Sequence, residues 1–167
     1  MANLPKKETF TFEYLPHNVA ELQAFKEAEM TSPFMSAALS ILALCEYENN
    51  PEESINMLDF LKGPQPLSTY DKQFLRDRLV QKGYVPRSFL AGTSPQNDYT
   101  PSQPYTVTIE DNPYSYINDG YAVMHFKSSG ADSLRQLTMR RKGDKWYLYN
   151  ISCLSDIRQP QSQDPWA

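Results

Sequence analysis

The chain has 167 residues, of which 22% are charged, and its formal net charge at pH 7 is −4. A chain of this length is typical of a single domain and can bury a core without disulfides or metal ions. The negative charge argues against nucleic acid and anionic membranes as partners, because affinity for phosphate groups comes from Lys and Arg. The longest apolar run, residues 37–45, is too short to cross a bilayer, and the first residues lack the apolar core of a signal peptide. We therefore expect a cytoplasmic protein that binds neither nucleic acid nor membranes.

The first half of the chain predicts one strand followed by helices. Residues 9–15 place the aromatic side chains of Phe10, Phe12 and Tyr14 at alternate positions, which is typical of a strand. Helix-capping residues then begin segments with apolar side chains at helical spacing, and these caps are Asn18, Ser32, Asn50 and Ser68. The pattern predicts a helical half over about residues 18–83.

A connecting segment over residues 84–104 is rich in Pro and short polar residues and has no clear period. A connection of this length inside a compact domain is often functional or mobile. It is equally consistent with an ordered wrap over the sheet, held by Phe89, Tyr99 and Tyr105.

The strand-like part covers residues 105–158. Alternating patterns predict strands over residues 105–110, 121–127, 134–141 and 146–152, and a further short strand over 114–117. Because helices come first and strands follow, we expect an α+β fold. In this fold the N-terminal helices pack on one face of a C-terminal curved antiparallel β-sheet, a meander.

The domain is predicted to include all of residues 1–167 and to end in a docked tail over residues 159–167. Trp166 is one residue from the end of the sequence, and disordered tails seldom carry large aromatic side chains. We therefore expect Trp166 to pack on the body of the domain.

Two cysteines, Cys45 and Cys153, occur in the chain, the first on a predicted apolar helix face and the second at a strand end. They are interpreted as the reduced thiols of a cytosolic protein. One disulfide between them stays an open alternative, although two cysteines do not form the framework of a secreted domain.

The sequence carries no catalytic, metal or nucleotide motif. The two histidines, His17 and His125, have no partners at metal-ligand spacing, and six glycines do not assemble a phosphate-binding loop. We therefore predict no catalytic residue, no metal and no cofactor. His125 is a weak candidate for an acid or base, and would become the best one if it faced the helices.

Tyrosines gather around the connecting segment and the first C-terminal strands. Core and sheet packing explains them simply. The functional alternative is an aromatic groove between residues 84–105 and the sheet that holds a peptide or a small molecule. Its predicted ligand-binding side chains are Tyr99, Tyr105, Tyr114, Tyr116 and Trp146.

One predicted hairpin concentrates basic side chains, namely Arg135, Arg140, Arg141, Lys142 and Lys145. Strand alternation places Arg140 on the opposite face from Arg135 and Arg141, so the pattern is interpreted as a solvated hairpin without a single patch. The functional alternative is contact with an anion or an acidic partner.

Several motifs carry a resemblance that extends over nearly the whole chain. They are Phe12-Glu13-Tyr14-Leu15-Pro16, Met57-Leu58-Asp59-Phe60-Leu61-Lys62-Gly63-Pro64, Asp98-Tyr99-Thr100-Pro101-Ser102-Gln103-Pro104-Tyr105, Ser129-Gly130-Ala131-Asp132-Ser133, Ser155-Asp156-Ile157-Arg158 and Asp164-Pro165-Trp166-Ala167. Through them the chain resembles a family of small bacterial proteins of unknown function, which implies a bacterial cytosolic domain and no particular activity. The order of helices before a curved sheet is also similar to the cone-shaped fold of nuclear-transport-factor-like proteins, which hosts both enzymes and binding modules.

From the residues we expect a non-catalytic domain that binds a small ligand or a protein through the aromatic groove. The alternative is a small pocket enzyme of hydrolase or isomerase type, in which His125 acts as acid or base with a carboxylate that the fold brings near. The partner is an unknown protein or small molecule, and a symmetric apolar patch would instead indicate a homodimer.

Overall fold

The structure is a computed structural model, and it describes residues 6–167. The helices are α1 (Val19–Gln23), α2 (Pro33–Cys45), α3 (Pro51–Lys62), α4 (Thr69–Leu79) and α5 (Tyr84–Arg87). The strands are β1 (Lys7–Phe12), β2 (Tyr105–Glu110), β3 (Tyr121–Phe126), β4 (Arg135–Lys142) and β5 (Lys145–Ile151). Short 3₁₀ turns lie at Lys26–Glu29, Glu46–Glu48, Pro95–Asn97 and Gln161–Gln163.

The predicted caps begin helices α1 to α4. The side chains of Asn18, Ser32, Asn50 and Ser68 each accept a hydrogen bond from the backbone N–H three residues later. Each bond satisfies a donor that the first helical turn leaves unpaired. The helix starts predicted from the sequence are therefore confirmed.

The five strands form one antiparallel sheet in the order β1-β2-β3-β4-β5. Every second side chain points to the same face, and on one face these are buried and apolar. They include Phe10, Phe12, Val107, Ile109, Met124, Phe126, Leu137, Met139 and Leu148. The N-terminal strand is thus an edge of the same sheet, paired with β2 with Phe10 opposite Val107.

Helix α2 lies against this buried face and contacts β2, β3, β4 and β5. All of its residues except Met35 are buried, so it occupies the centre of the core. Two buried serines of this helix have hydrogen-bond partners for their hydroxyl groups. Ser40 Oγ donates to the Ser36 carbonyl, and Ser36 Oγ donates to the Trp146 carbonyl of β5. The predicted α+β arrangement, with helices on one face of an antiparallel sheet, is confirmed.

The predicted short strand at residues 114–117 is wrong. The Asn112 side chain accepts from the Tyr114 N–H at 2.8 Å, and the Asn112 N–H donates to Ser115 Oγ at 2.9 Å. These local bonds compete with a strand ladder and fold the segment into turns.

The connecting segment is an ordered wrap, as in the second of its two interpretations. Phe89 packs edge-on against Phe126 of β3, with ring centroids 4.9 Å apart. Ala91 N donates to the Thr106 carbonyl of β2 at 2.9 Å. The segment therefore fills the position beside β2 where β3 does not pair, because the β2–β3 ladder contains one pair, Glu110 with His125.

The tail contacts the domain, but the prediction for Trp166 is wrong. Arg158 N donates to the Gly130 carbonyl, Pro160 is buried, and Ser162 Oγ lies 3.2 Å from Asp98 Oδ1. Trp166 is 92% exposed, because the tail is anchored before it and Trp166 lies beyond the last of these contacts.

Cys45 and Cys153 are both buried and free. Burial disfavours the thiolate and raises the pKa of Cys153 to about 12. Neither thiol is therefore activated as a nucleophile. Across residues 6–167, the helices are all too short or too polar to cross a membrane.

Candidate functional site

The structure separates the side chains predicted to form an aromatic groove. Tyr99 has no exposed surface, stacks on Tyr84 with centroids 5.5 Å apart, and donates its hydroxyl to the Arg158 carbonyl at 2.6 Å. Burial raises the pKa of Tyr99. Tyr99 therefore serves the core and the anchoring of the tail, because its ring is enclosed between the connecting segment and residues 130–158, and it presents no surface to a ligand.

The other four predicted contacts lie at different places on the sheet. Tyr105 begins β2, whereas Tyr114 follows its end and is 73% exposed, so a whole strand separates them. Tyr116 donates its hydroxyl to the buried Asp111 carboxylate at 2.7 Å. Trp146 lies on β5, beyond β3 and β4. The predicted groove between residues 84–105 and the sheet is therefore not assembled by these five side chains.

His125 lies half-buried on the face of the sheet opposite α2. Its cross-strand neighbours are Glu110 and Gln136, and its buried Nδ1 has no hydrogen-bond partner within residues 6–167. Burial lowers its pKa, against a smaller opposite effect of the Glu110 charge. The carboxylate contact on which a His125-based enzyme depends is not formed in the described part of the chain.

The other histidine has a carboxylate partner that the sequence pattern did not reveal. His17 Nδ1 lies 2.7 Å from Oε1 of the buried Glu46, which also accepts from the Asn49 side chain at 3.0 Å. This hydrogen bond raises the pKa of His17. The imidazole is largely exposed, and the pair closes the turn between β1 and α1 over the end of α2.

A cationic cleft of about 460 Å³ lies at the β4–β5 hairpin, where the end of α3 approaches the strand edge. We call it the basic cleft. It is lined by Lys62, Pro64, Gln65, Arg140, Arg141, Lys142, Tyr147, Leu148 and Tyr149. Four of its nine lining residues are cationic and none is acidic, in a protein whose net charge is −4.

Basic side chains from both faces of β4 reach this cleft. Arg140, Arg141 and Lys142 alternate along the strand, but they stand at the end of the hairpin, where long side chains extend around the backbone. The prediction that the basic residues form no single patch is therefore wrong for these three. It holds for Arg135, which donates to the Ser155 carbonyl, and for Lys145, which donates to the Glu29 carbonyl.

Aromatic rings fix two of the guanidinium groups at the hairpin. The Arg140 guanidinium lies 5.3 Å from the ring centre of Tyr121 and 5.6 Å from that of Tyr149. The Arg141 guanidinium lies 5.8 Å from the ring centre of Trp146. Cation–π contacts of this kind orient an arginine without neutralising its charge.

Lys62 is the buried cation of the cleft. Only 8% of the residue is exposed, and its Nζ donates to the Tyr149 carbonyl at 3.1 Å. No carboxylate lies within 4.0 Å of this ammonium in the described part of the chain, and burial lowers its pKa. Asp59 and Asp71 attract it from farther away, and each accepts a backbone N–H, from Leu67 and Ser68 respectively.

A second cleft of about 210 Å³ continues along β5 from the basic cleft, and Lys62 and Tyr149 line both. We call it the apolar cleft. Its lining residues are Lys62, Leu67, Tyr70, Asp71, Phe74, Leu75, Tyr149, Asn150 and Ile151. The two clefts therefore form one surface between β5 on one side and α3 with α4 on the other.

The model of one protein family, a domain of unknown function termed DUF6935, matches residues 14–161. The chain belongs to this family. The match confirms the resemblance predicted from the sequence motifs, to a family without an assigned activity. Comparison with curated proteins and with solved structures found no match.

Lys62 of this DUF6935 domain is a site residue that the sequence pattern did not predict. A signal was present, because Ser54, Leu58 and Lys62 follow one another at four-residue spacing on the buried face of α3. A lysine at the end of an apolar stripe is ordinarily assumed to extend into solvent. Here β5 covers that position, so Lys62 is enclosed instead.

Proposed function

We propose that this protein is a non-catalytic binding domain of the bacterial cytoplasm that holds a small anionic ligand in the basic cleft. The observation that carries the proposal is the buried ammonium of Lys62, which has no carboxylate within ion-pair distance in residues 6–167. A buried charge is costly unless it is paired. An anion that enters the cleft supplies that missing partner.

The surrounding cations favour the same class of ligand. Arg140 and Arg141 present guanidinium groups that are held by aromatic rings, and planar guanidinium groups match the oxygens of carboxylates and phosphates. Because these groups are fixed before binding, less side-chain entropy is lost when an anion is bound. A volume of about 460 Å³ is within the range of small-molecule sites.

Two observations favour binding over catalysis and the cytoplasm over an oxidising compartment. Within residues 6–167, His125 Nδ1 has no hydrogen-bond partner, whereas an acid–base histidine is ordinarily oriented by one. Cys45 and Cys153 are both free, which is typical of proteins in reducing compartments.

The proposal is tested by titrating the protein with inorganic phosphate at low ionic strength, with sodium chloride as the ionic-strength control. We expect NMR shifts at the side chains of Arg140 and Arg141, and an affinity at least about tenfold lower in the double variant Arg140→Gln/Lys142→Gln. The matched control is Lys72→Gln/Arg76→Gln on the exposed face of α4, which removes the same charge. Equal losses in the two variants would show a general effect of charge and contradict the site.

The pH dependence of binding provides a second test that involves Lys62. An anion beside its ammonium raises a pKa that burial has lowered, so binding takes up a proton where Lys62 is partly neutral. Phosphate affinity should therefore fall as the pH rises through the pKa of Lys62. In Lys62→Met that pH dependence should disappear.

A further inference from the structure

Resting on the proposed function, we propose that the ligand is amphiphilic: its anionic head occupies the basic cleft and an apolar tail lies in the apolar cleft. The ligand class is a free organic phosphate or carboxylate with a short alkyl or aryl body. The proposal follows from the way the two clefts join and from the charged residues that line each of them.

The two clefts are adjacent and share two lining residues, Lys62 and Tyr149. The Lys62 stem is apolar and its Nζ points to the Tyr149 carbonyl, so one side chain offers a charge to one part of a ligand and methylenes to the next. A molecule that pairs with the ammonium therefore has its neighbouring atoms directed along β5.

The apolar cleft presents uncovered hydrophobic surface from Tyr70, Phe74 and Ile151. Leu67 and Leu75 are buried at its base, Phe74 and Ile151 are half-buried, and Tyr70 is 78% exposed. Two leucines, an isoleucine and three aromatic rings around about 210 Å³ favour an apolar group, since each buried methylene strengthens binding roughly threefold to fourfold.

Charge fixes the direction of the ligand. Asp71 is the one charged residue besides Lys62 in the lining of the apolar cleft, and it is half-buried there with Oδ2 accepting from Ser68 N. Its carboxylate repels an anionic head, whereas Arg140, Arg141 and Lys142 attract one at the other end. The head and the tail are therefore assigned to different clefts by opposite electrostatics.

The experiment compares methyl phosphate with hexyl phosphate, which share a head group and differ in tail length, by calorimetry and by NMR of the side-chain methyl groups. We expect hexyl phosphate to bind at least about tenfold more tightly. Hexyl phosphate alone should shift the methyl signals of Leu67, Leu75 and Ile151. Tyr70→Ser should weaken hexyl phosphate binding about threefold or more and leave methyl phosphate binding unchanged.

The control variant is Trp166→Ser, which removes an exposed ring that lines neither cleft and should leave both affinities unchanged. Equal affinities for the two phosphates, with Arg140→Gln/Lys142→Gln still reducing both, would overturn the amphiphilic ligand and retain the proposed anion site. The proposed function itself would be overturned if the wild type bound neither phosphate. It would also be overturned if Arg140→Gln/Lys142→Gln left the affinity unchanged. Sedimentation with phosphatidic acid vesicles should show no binding, and co-sedimentation would overturn the assignment to a free molecule.

Discussion

The Nζ of Lys62 lies 3.1 Å from the carbonyl oxygen of Tyr149, and this contact stands between the basic cleft and the apolar cleft. β5 is an edge strand, and edge strands expose unpaired backbone groups. Lys62 covers one such group, while the Trp146 N–H and carbonyl are bonded to Met30 and Ser36. The last residue of α3 therefore both protects the sheet edge and places a cation in the lining of both clefts.

Replacement of Lys62 by Met should show how the buried ammonium affects the free energy of unfolding, apart from any effect on ligand binding. Burial lowers the pKa of Lys62, so from that pKa up to about 10.5 the unfolded state binds more protons and wild-type stability rises with pH. The variant loses a hydrogen bond to the Tyr149 carbonyl and also loses a buried charge. We expect its free energy of unfolding at pH 7 to be within about 1 kcal/mol of the wild type.

Urea unfolding at pH 7 and pH 10 measures this difference, with Lys72→Met as the exposed control. Relative to wild type, Lys62→Met should be more stable at pH 7 than at pH 10, whereas Lys72→Met should show no such change. If Lys62→Met were instead less stable relative to wild type at pH 7 than at pH 10, the folded protein would stabilise the charged ammonium.

Gly63 should be intolerant of any side chain. It ends α3 with φ +62°, and a Cβ atom built there would overlap the ring of Tyr147, a lining residue of the basic cleft. The ψ of Gly63 is −117°, outside the left-handed helical region. Gly63→Ala should therefore cost more than the roughly 1–2 kcal/mol that the left-handed region costs other residues. Gly143 is the matched control, since its φ is +64° with open space around it.

Thermal unfolding of Gly63→Ala and Gly143→Ala compares a crowded position with an open one, and Gly63→Ala should lose more stability. The Gly63 variant should also lose phosphate affinity, because Tyr147 must move. Equal destabilisation of the two variants would show that the ring shifts without cost.

Ser36 should be a major polar contributor to the attachment of β5. Its hydroxyl donates to the Trp146 carbonyl, and Ser36 is fully buried while Trp146 is half-buried. Ser36→Ala should lower the free energy of unfolding by about 1–2 kcal/mol, as leaving a buried acceptor unpaired does. Ser40→Ala is the control, because Ser40 donates within α2 to the Ser36 carbonyl and should cost less. Chemical denaturation of both variants makes the comparison, and an equal loss would contradict the role of the β5 contact.

His17 should make the stability depend on pH near neutrality. Its hydrogen bond to Glu46 raises its pKa above 6.5, so its stabilisation is fully present below pH 6.5 and is lost as the pH rises through the raised pKa. The side chain is 62% exposed, and screening keeps the effect below about 1 kcal/mol. The difference in unfolding free energy between wild type and His17→Gln should therefore shrink from pH 5.5 to pH 8.5. An NMR titration of His17 with a midpoint below 6.5 would contradict the assignment.

Helix starts, and the turn at residues 114–117, are decided by hydrogen bonds between residues close together in the chain. Asn18, Ser32, Asn50 and Ser68 cap helices because a cap depends on residues within one turn of the chain. The same local bonding explains the one strand predicted in error, since Asn112 and Ser115 outcompete a ladder at residues 114–117. Both outcomes depend on residues that are close in sequence. At residues 114–117 the alternating pattern favours a strand, but the hydrogen bonds of Asn112 and Ser115 prevail and form turns.

Positions that depend on distant packing were predicted poorly. The residues near Tyr99 in sequence predict that it lines a groove. It is enclosed instead, because Tyr84 stacks on its ring and its hydroxyl donates to the Arg158 carbonyl. Trp166 reads as an anchor because it is apolar, yet anchoring occurs earlier in the tail at Arg158 and Pro160. Neither outcome follows from local pattern.

The amino-acid sequence by itself determined the elements of this protein, their order and the buried face of each, because capping, periodicity and turn chemistry act over a few residues. Tertiary structure alone decided which side chains meet at a site. Lys62 and Arg140 are 78 positions apart in the chain, and their approach depends on α3 ending against β5, a non-local packing event that no pattern in either segment encodes.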